Sequence, residues 1–577
     1  MALKTAHPAE PPERADVLVA GSGAAGLVAA LACVVRGRSV VVCERSATIG
    51  GTTALSGGRV WVPGNRFQAD SEGDRRAAAT YLAGIFEPRH DAMIEAFLDA
   101  APAMLRYVEA HTPHRFAQCP HYPDYHPDRD GATLGGRCLD MQPLALARLT
   151  PLCEKVRVPH GYLPLTHAEW ERWRFPHRYD HELIERRHAG RVATGGPALT
   201  CALLDGVVRA GGAVVTGHRL VDVTPRPDGR LAVRLERAVD DPVTVVVSHV
   251  VLATGGYDQN DTLRRRYLPA ALGASGSSPA NTGDALAIAQ RLGARIENLD
   301  QGWWMPMVAI PGEETDGVVA YRALIRERGV PRQIMVDTSG RRFVDEACPY
   351  NEFGKAMHRQ NASGEFPHAE AYLVFDEGFR QRYSLPGMAV GDPVPDWVVS
   401  ATTLAGLARR LGVDADGLTA QVARWNKMCA IGVDDEFGKG DNAYDRYYGD
   451  PDQPGNPNLG PLDEPPYHGV RLLSGTIGSK GGPVTDIDAR VLDREGWPIP
   501  GLFAVGNAAA FWTADGYPGP GATLGIGMAF GYRAGLAIAA DASNATNTSF
   551  STTTHNALLE ATNTAITPHP TAPHPAS

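Results

Sequence analysis

The apolar positions of this chain fall into blocks with distinct periods. Asp16-Val17-Leu18-Val19-Ala20 is followed by a glycine-rich turn, an Ala/Leu/Val-rich stretch and a second apolar run, Ser39 to Cys43. Short continuous apolar runs bounded by turn signals suit strands buried on both faces, so the start reads as strand, helix, strand. Between 72 and 110 apolar residues recur at helical spacing (Ala92, Met93, Ala96, Phe97, Ala100, Met104), which predicts a packing helix. After 195 the first pattern returns. A helix is expected over Ala198 to Arg209, with strands at Ala213-Val214-Val215, Leu231 to Leu235 and Thr244 to Leu252, the last running into Ala253-Thr254-Gly255-Gly256. Near the far end, Asp486 to Pro500 predicts a hairpin around Arg494-Glu495-Gly496. Gly501 to Asn507 predicts a buried strand, and Gly521 to Ala540 a Gly/Ala-rich helix whose start can face an anionic or carbonyl group.

The remaining blocks lack that regularity. Residues 116–136 form a Tyr/His/Pro-rich loop. Residues 155–195 are rich in Arg, His and aromatics, among them Trp170, Trp173, Phe175 and His177. A solvated helical excursion is the plainest reading, with a lid or a weak membrane-surface contact as others. Its histidines lack paired ligand spacing, so no metal is expected. Residues 281–475 carry most of the remaining aromatics and read as an inserted substrate domain. The expected architecture is a two-domain α/β protein: a Rossmann-like nucleotide domain over 1–280 (with a helical excursion at 70–195) and 476–540, an inserted α+β substrate or catalytic domain over 281–475, and a Ser/Thr/Asn/Pro/His-rich tail over 541–577 expected to be disordered.

The turn between the first strand and helix is Gly21-Ser22-Gly23-Ala24-Ala25-Gly26, and the second strand ends on Glu44. Three glycines in a strand-to-helix turn, with an acid about twenty residues on, make a dinucleotide fingerprint. Gly21 permits the tight turn, Gly23 lets backbone approach a pyrophosphate at the helix start, and Gly26 lets helix and strand pack closely. Glu44 can accept from the ribose hydroxyls. A second small-residue loop, Gly50 to Gly58, follows at once. A nicotinamide has no evident use for it, whereas a flavin ring needs a long, flat bed of backbone and small hydroxyls, so FAD is the inferred cofactor. The candidate FAD residues are Gly21, Gly23, Ala24, Ala25, Gly26, Glu44, Arg45, Gly51, Thr52, Thr53, Ser56, Gly57, Gly58, Thr254, Gly255, Asn281, Asp284, Gly506, Asn507, Thr523 and Leu524.

Composition narrows the class further. The 577 residues carry a formal net charge of −10, which argues against a nucleic-acid partner. None of the eight cysteines forms a C-x-x-C pair, so neither a disulfide framework nor a thiolate metal site is expected, and a reducing, cytoplasmic location is favoured. The first fifteen residues lack the apolar core of a signal peptide. The longest apolar runs, near Val243 to Ala253 and Gly525 to Ala540, read as too short or too Gly-rich to span a bilayer, leaving at most a peripheral membrane contact.

Several further motifs occur in one order: Gly50 to Gly58, Asn281-Thr282-Gly283-Asp284, Trp303-Trp304-Met305-Pro306, Arg342-Phe343-Val344-Asp345-Glu346, Ser479-Lys480-Gly481-Gly482, and Tyr517-Pro518-Gly519-Pro520-Gly521-Ala522-Thr523-Leu524-Gly525. Together they resemble the 3-ketosteroid Δ1-dehydrogenases, a branch of the fumarate-reductase-like flavoproteins, over residues 15–540. The resemblance implies 1,2-desaturation of a 3-ketosteroid ring A, in which a proton leaves C2 and a hydride leaves C1 for the flavin. Tyr517 and the Gly521 N–H would then hold the C3 oxygen, and Tyr350 would take the proton. A free tyrosine titrates near 10, so Tyr350 needs a neighbour that relays the proton or stabilises its phenolate. The family supplies that neighbour from the 116–136 loop. It often shows Tyr-Tyr-Pro where this chain has Tyr125-His126-Pro127, which puts His126 in the relay position, with Tyr122 and Tyr125 as the other candidates. Trp303 and Trp304 read as pocket wall or core.

Rival readings remain at this stage. Fumarate-reductase-type relatives carry an arginine acid where Tyr350 stands, so a carboxylate substrate is disfavoured. Another steroid or triterpenoid desaturase or reductase, such as a Δ4 type, uses the same enolate chemistry. A silent electron-transfer flavoprotein fits poorly with an intact tyrosine pair. No internal iron–sulfur relay is visible, so electrons are expected to leave to a quinone, a dye or oxygen.

Overall fold

The computed structural model describes residues 10–237 and 241–547. The strand-helix-strand start forms as read: Val17–Ala20, then Ala24–Val34, then Val40–Glu44. These strands belong to a six-stranded sheet in the order Arg490–Leu492, Pro498–Ala504, His249–Leu252, Val17–Ala20, Val40–Glu44, Ala213–Thr216. All neighbours run parallel except the Arg490–Leu492 edge, which is the outer arm of the expected hairpin. Every residue of Val17–Ala20 and Val40–Glu44 is buried, as the unbroken apolar runs require.

One face of this sheet is covered by helices Ala24–Val34, Asp91–His111, Gly195–Arg209 and the long helix Ala522–Asn547, which share one core. Glycines and alanines at the Ala24–Val34/Ala522–Asn547 contact let the two backbones approach: a Cβ on residue 531 would sit 2.3 Å from the Ala25 carbonyl oxygen. The other face carries a three-stranded antiparallel sheet (His218–Pro225, Leu231–Arg237, Val243–Val247) and helix Asp284–Arg291.

A second, seven-stranded sheet holds Val318–Ala323, Gly302–Thr315, Tyr467–Ser479, Glu370–Asp376 and Gln333–Asp337 in that order, with Ala274–Ser275 and Val399–Ala401 added to Tyr467–Ser479. Helix Tyr350–Met357 packs its Phe353 on the face lined by Met335 and Phe375. Helices Leu404–Leu411 and Ala415–Ile431 cover the opposite face around Trp425.

Four local expectations are corrected. The single helix over 72–110 is two, Ser71–Ile85 and Asp91–His111, because Glu87-Pro88 breaks the first, Pro88 having no N–H to continue the ladder. The single strand Thr244 to Leu252 is also two. Ser248 separates them, and they enter different sheets. The last helix runs on to Asn547, past the expected start of the tail at 541, while 548–577 lie outside the described residues. Its Ala522–Asp541 segment is long and apolar enough to cross a membrane by composition alone, yet 67% of that apolar window is buried against the protein.

Candidate active site

A single cavity of about 480 Å³ runs between the two sheets. All twenty-one candidate FAD residues line it, together with Tyr122, Tyr125, Tyr350, Tyr517 and Gly521. At its nucleotide end, Gly21 sits at φ +111°, and a Cβ there would lie 2.2 Å from the Ala253 carbonyl oxygen, so only glycine lets the first strand turn against the Ala253-Thr254 bend. A Cβ on residue 23 would meet only Thr53 Oγ1, at 3.6 Å, which leaves the helix start open for a phosphate. Glu44 is buried and fixed: Ser22 Oγ donates to Oε2 at 2.6 Å and the Ser46 N–H to Oε1 at 2.9 Å. The Thr52 hydroxyl accepts from the Ser278 N–H at 3.0 Å and the Asn281 amide at 3.2 Å, tying the second small-residue loop to the 275–284 segment. Asp284 is a brace, gripped by Arg219 at 2.8 Å and Arg45 at 3.3 Å. This bed of backbone N–H groups, small hydroxyls and the buried Glu44 fits a dinucleotide, and the small-residue walls continuing from Ser56 to Gly58 fit a flat ring.

The other end is a cluster of phenols. Tyr350 stands at the first turn of helix Tyr350–Met357 behind Pro349. Tyr125 donates to its hydroxyl at 2.8 Å. Tyr517 packs edge-on to both rings, with centroids at 5.5 Å and 5.0 Å, and against Trp303 at 4.5 Å. Thr523 Oγ1 donates to the Tyr517 oxygen at 3.0 Å, leaving the Tyr517 proton free to be given. Gly521 lies at φ +87° with its Cα pressed on the Arg59 backbone, where a Cβ would be 2.5 Å from the Arg59 oxygen. Among the described residues nothing accepts from the Gly521 N–H. A free phenol proton and a free backbone N–H therefore stand at one end of the cavity. Burial pushes the Tyr350 and Tyr125 phenols well above their ordinary range, and Tyr517 upward, so all three rest protonated. The bond from Tyr125 is the contact that pulls Tyr350 back down.

The structure places His126 apart from the phenol cluster's cavity face. It does not line the cavity. Its N–H donates to Tyr81 at 3.2 Å, and its half-buried ring is held by the Tyr517 backbone beside Glu352 and Lys355, with burial lowering its pKa. Tyr125 lies at a bend of an irregular loop, which turns its ring to the cavity while the His126 ring stays outside the cavity wall. Asp124 sets the orientation of this segment: its carboxylate takes Trp61 Nε1 at 2.8 Å and Arg137 Nη1 at 2.6 Å, while the Tyr125 N–H bonds the Pro518 oxygen. Tyr122 does reach the cavity, but its hydroxyl is hydrogen-bonded to Tyr448 and its ring stacks on His167 and Tyr447.

Two supports lie outside the cavity. Arg342 makes paired bonds to Glu346 (2.7 and 2.8 Å) and Asp434 (3.0 and 2.8 Å), fixing the turn that leads to Tyr350. Lys480 is fully buried and donates to the carbonyls of Ala514 (2.8 Å) and Gly516 (2.7 Å), with its Nζ 3.8 Å from the Trp303 ring centre, so it pins the loop carrying Tyr517. Sequence reasoning missed Lys480, Thr523 as a partner of Tyr517, and Arg59, which lines the cavity directly after Gly57-Gly58. A charge placed straight after a small-residue loop was the available signal for Arg59.

The fold and site define an FAD-dependent flavoprotein, and residues 16–524 match the FAD binding domain family. A 3-oxosteroid 1-dehydrogenase from Mycobacterium tuberculosis (strain ATCC 25618 / H37Rv) is 37% identical, covering 91% of this chain and 98% of the relative. A 4-oxocyclohexanecarboxylate 2-dehydrogenase from Sinomonas cyclohexanicum is 38% identical, covering 91% and 93%. The crystal structure of 3-ketosteroid delta1-dehydrogenase from Sterolibacterium denitrificans, in complex with 1,4-androstadiene-3,17-dione, superposes with a TM-score of 0.86 at 33% identity, over 92% of this chain and 100% of that one. The chain belongs to the 3-ketosteroid Δ1-dehydrogenase family, and it is an FAD-dependent dehydrogenase acting on a CH–CH bond. A flavocytochrome c3 fumarate reductase, at TM-score 0.63 and 20% identity, shares the fold alone.

Proposed function

We propose that the enzyme desaturates the carbon–carbon bond next to a ring ketone. The supporting observation is the convergence of the Tyr517 hydroxyl, the unpartnered Gly521 N–H and the Tyr125–Tyr350 pair at one end of the FAD cavity. Two donors aimed at one ketone oxygen stabilise the negative charge that develops there as the α-carbon loses its proton. Tyr350 takes that proton, and the hydrogen bond from Tyr125 stabilises the phenolate that can accept it. FAD, when bound, supplies a two-electron acceptor for the hydride from the β-carbon. The names of the two kinds of relative agree on this chemistry, since position 1 of a 3-oxosteroid and position 2 of a 4-oxocyclohexanecarboxylate are both β to the ketone. A 3-ketosteroid and a smaller oxo-ring acid are thus the two substrate classes in play. Reoxidation by an external quinone, dye or oxygen and a cytoplasmic setting complete the proposal, with 281–475 as the substrate-side unit.

The test is anaerobic mixing of the FAD-loaded enzyme with androst-4-ene-3,17-dione and, separately, 4-oxocyclohexanecarboxylate, following the flavin absorbance. Bleaching by either, with a conjugated enone as product, is expected. Bleaching by neither, with fumarate reoxidising the reduced enzyme, would overturn the proposal. Tyr517→Phe is expected to retain FAD and to lower turnover by about 10²–10³-fold, the usual effect of deleting one oxyanion donor. Unchanged turnover removes Tyr517 from the mechanism.

A further inference from the structure

Arg59 is a cation in the cavity wall whose outer nitrogens have no hydrogen-bond partner among the described residues. It leaves the Gly57-Gly58 bend and enters the short strand Val60–Trp61. Its Nε donates to His167 Nδ1 at 3.0 Å. Burial, and then the Arg59 charge itself, keep that imidazole neutral by pushing its pKa down to about 3. With Nδ1 accepting, the ring proton is on Nε2, 2.6 Å from the Tyr447 hydroxyl, which in turn donates to Glu171 at 2.7 Å. A chain from Glu171 through Tyr447 and His167 thus aims the guanidinium. Among the described residues neither Nη group makes a hydrogen bond, and no carboxylate lies within salt-bridge distance. The nearest acidic influence is Asp140, a buried carboxyl that accepts the His167 N–H and whose own pKa burial raises.

A half-buried guanidinium held by one edge, with the other edge facing an FAD cavity, is an arrangement for a planar two-oxygen anion. The neutral skeleton of a steroid gives it nothing to bind. Arg59 and Gly521 are also backbone neighbours, so the cation stands one side chain away from the N–H assigned to the ketone oxygen. That separation suits a ketone and an anion borne by one ring. We infer that Arg59 binds a carboxylate on the substrate, making the substrate a cyclic keto acid. This rests on the ring-ketone reading above. It also reverses the expectation, drawn from Tyr350 and the apolar Cys348-Pro349 beside it, that carboxylates are disfavoured: the carboxylate group sits at residue 59, away from the proton-transfer position.

The test uses the FAD-loaded enzyme with 4-oxocyclohexanecarboxylate, its methyl ester and androst-4-ene-3,17-dione, together with calorimetric binding of cyclohexanecarboxylate, which has no ketone to oxidise. The parent is expected to prefer the acid over the ester in kcat/KM by about 10²-fold, as for a desolvated charge pair. In Arg59→Met that preference collapses and cyclohexanecarboxylate binding is lost, with FAD content unchanged, while Arg59→Lys recovers part of both. Equal use of acid and ester, preference for the steroid, unaltered binding in Arg59→Met, or loss of FAD from that variant each overturn the inference. If none of the three ketones bleaches the flavin, the ring-ketone reading fails by itself, and the calorimetric arm still decides whether Arg59 binds a carboxylate.

Discussion

The two ends of the cavity are built from different material. The nucleotide end is mostly backbone and small side chains from one stretch, Gly21 to Gly58, completed at 254–255, 281–284 and 506–507. The reacting end is side chains brought together by folding, and its two hydrogen-bonded phenols, Tyr125 and Tyr350, are 225 positions apart in the chain. Backbone recognition constrains conformation, so it leaves a fixed local spelling. Side-chain clusters constrain only the final positions of a few atoms, and many spellings deliver them.

The comparison breaks most visibly at Gly21. Gly21→Ala forces a Cβ into the Ala253 carbonyl at a φ that side chains resist, so the purified variant is expected to lose nearly all bound FAD, read by its visible absorbance. A fully yellow variant would show that the turn has slack. At the reacting end the sharper contrast is between neighbours. Tyr125→Phe removes the bond that favours the Tyr350 phenolate and is expected to cut kcat by about 10²-fold with FAD retained, within the range for acid–base partners. His126→Gln is expected to stay within about threefold, the scale of a surface-loop change. The reverse order of effects would restore His126 to the relay. The smallest effect is one of slope. Because burial raises Tyr350 above the ordinary tyrosine range and a base must be deprotonated, kcat/KM is expected to climb about tenfold per pH unit from neutrality, with no plateau below about pH 10. A plateau near pH 7 would point to another base.

These differences explain what was legible in the sequence. The first strands and helix, the glycine turn, the acid at 44 and the closing hairpin follow from local pattern and hold in the structure. The break at Pro88 is legible in the sequence, since a proline has no N–H to continue the helix. The division at Ser248 was not visible, since both halves are equally apolar and only their partners tell them apart. In the 116–136 loop the facing of the side chains was ambiguous. An irregular loop has no period, so choosing between Tyr125 and His126 needed the Asp124 contacts with Trp61 and Arg137. Arg59 has no local pattern of its own, because it directly follows the small-residue loop and precedes the short strand Val60–Trp61.

Lys480 has a mechanical consequence. It follows strand Tyr467–Ser479, the hub that pairs with four other strands of the seven-stranded sheet. Its Nζ holds two carbonyls just before Tyr517, so that strand and the Tyr517 loop form a rigid lever. Any displacement of that strand therefore carries the Tyr517 loop with it.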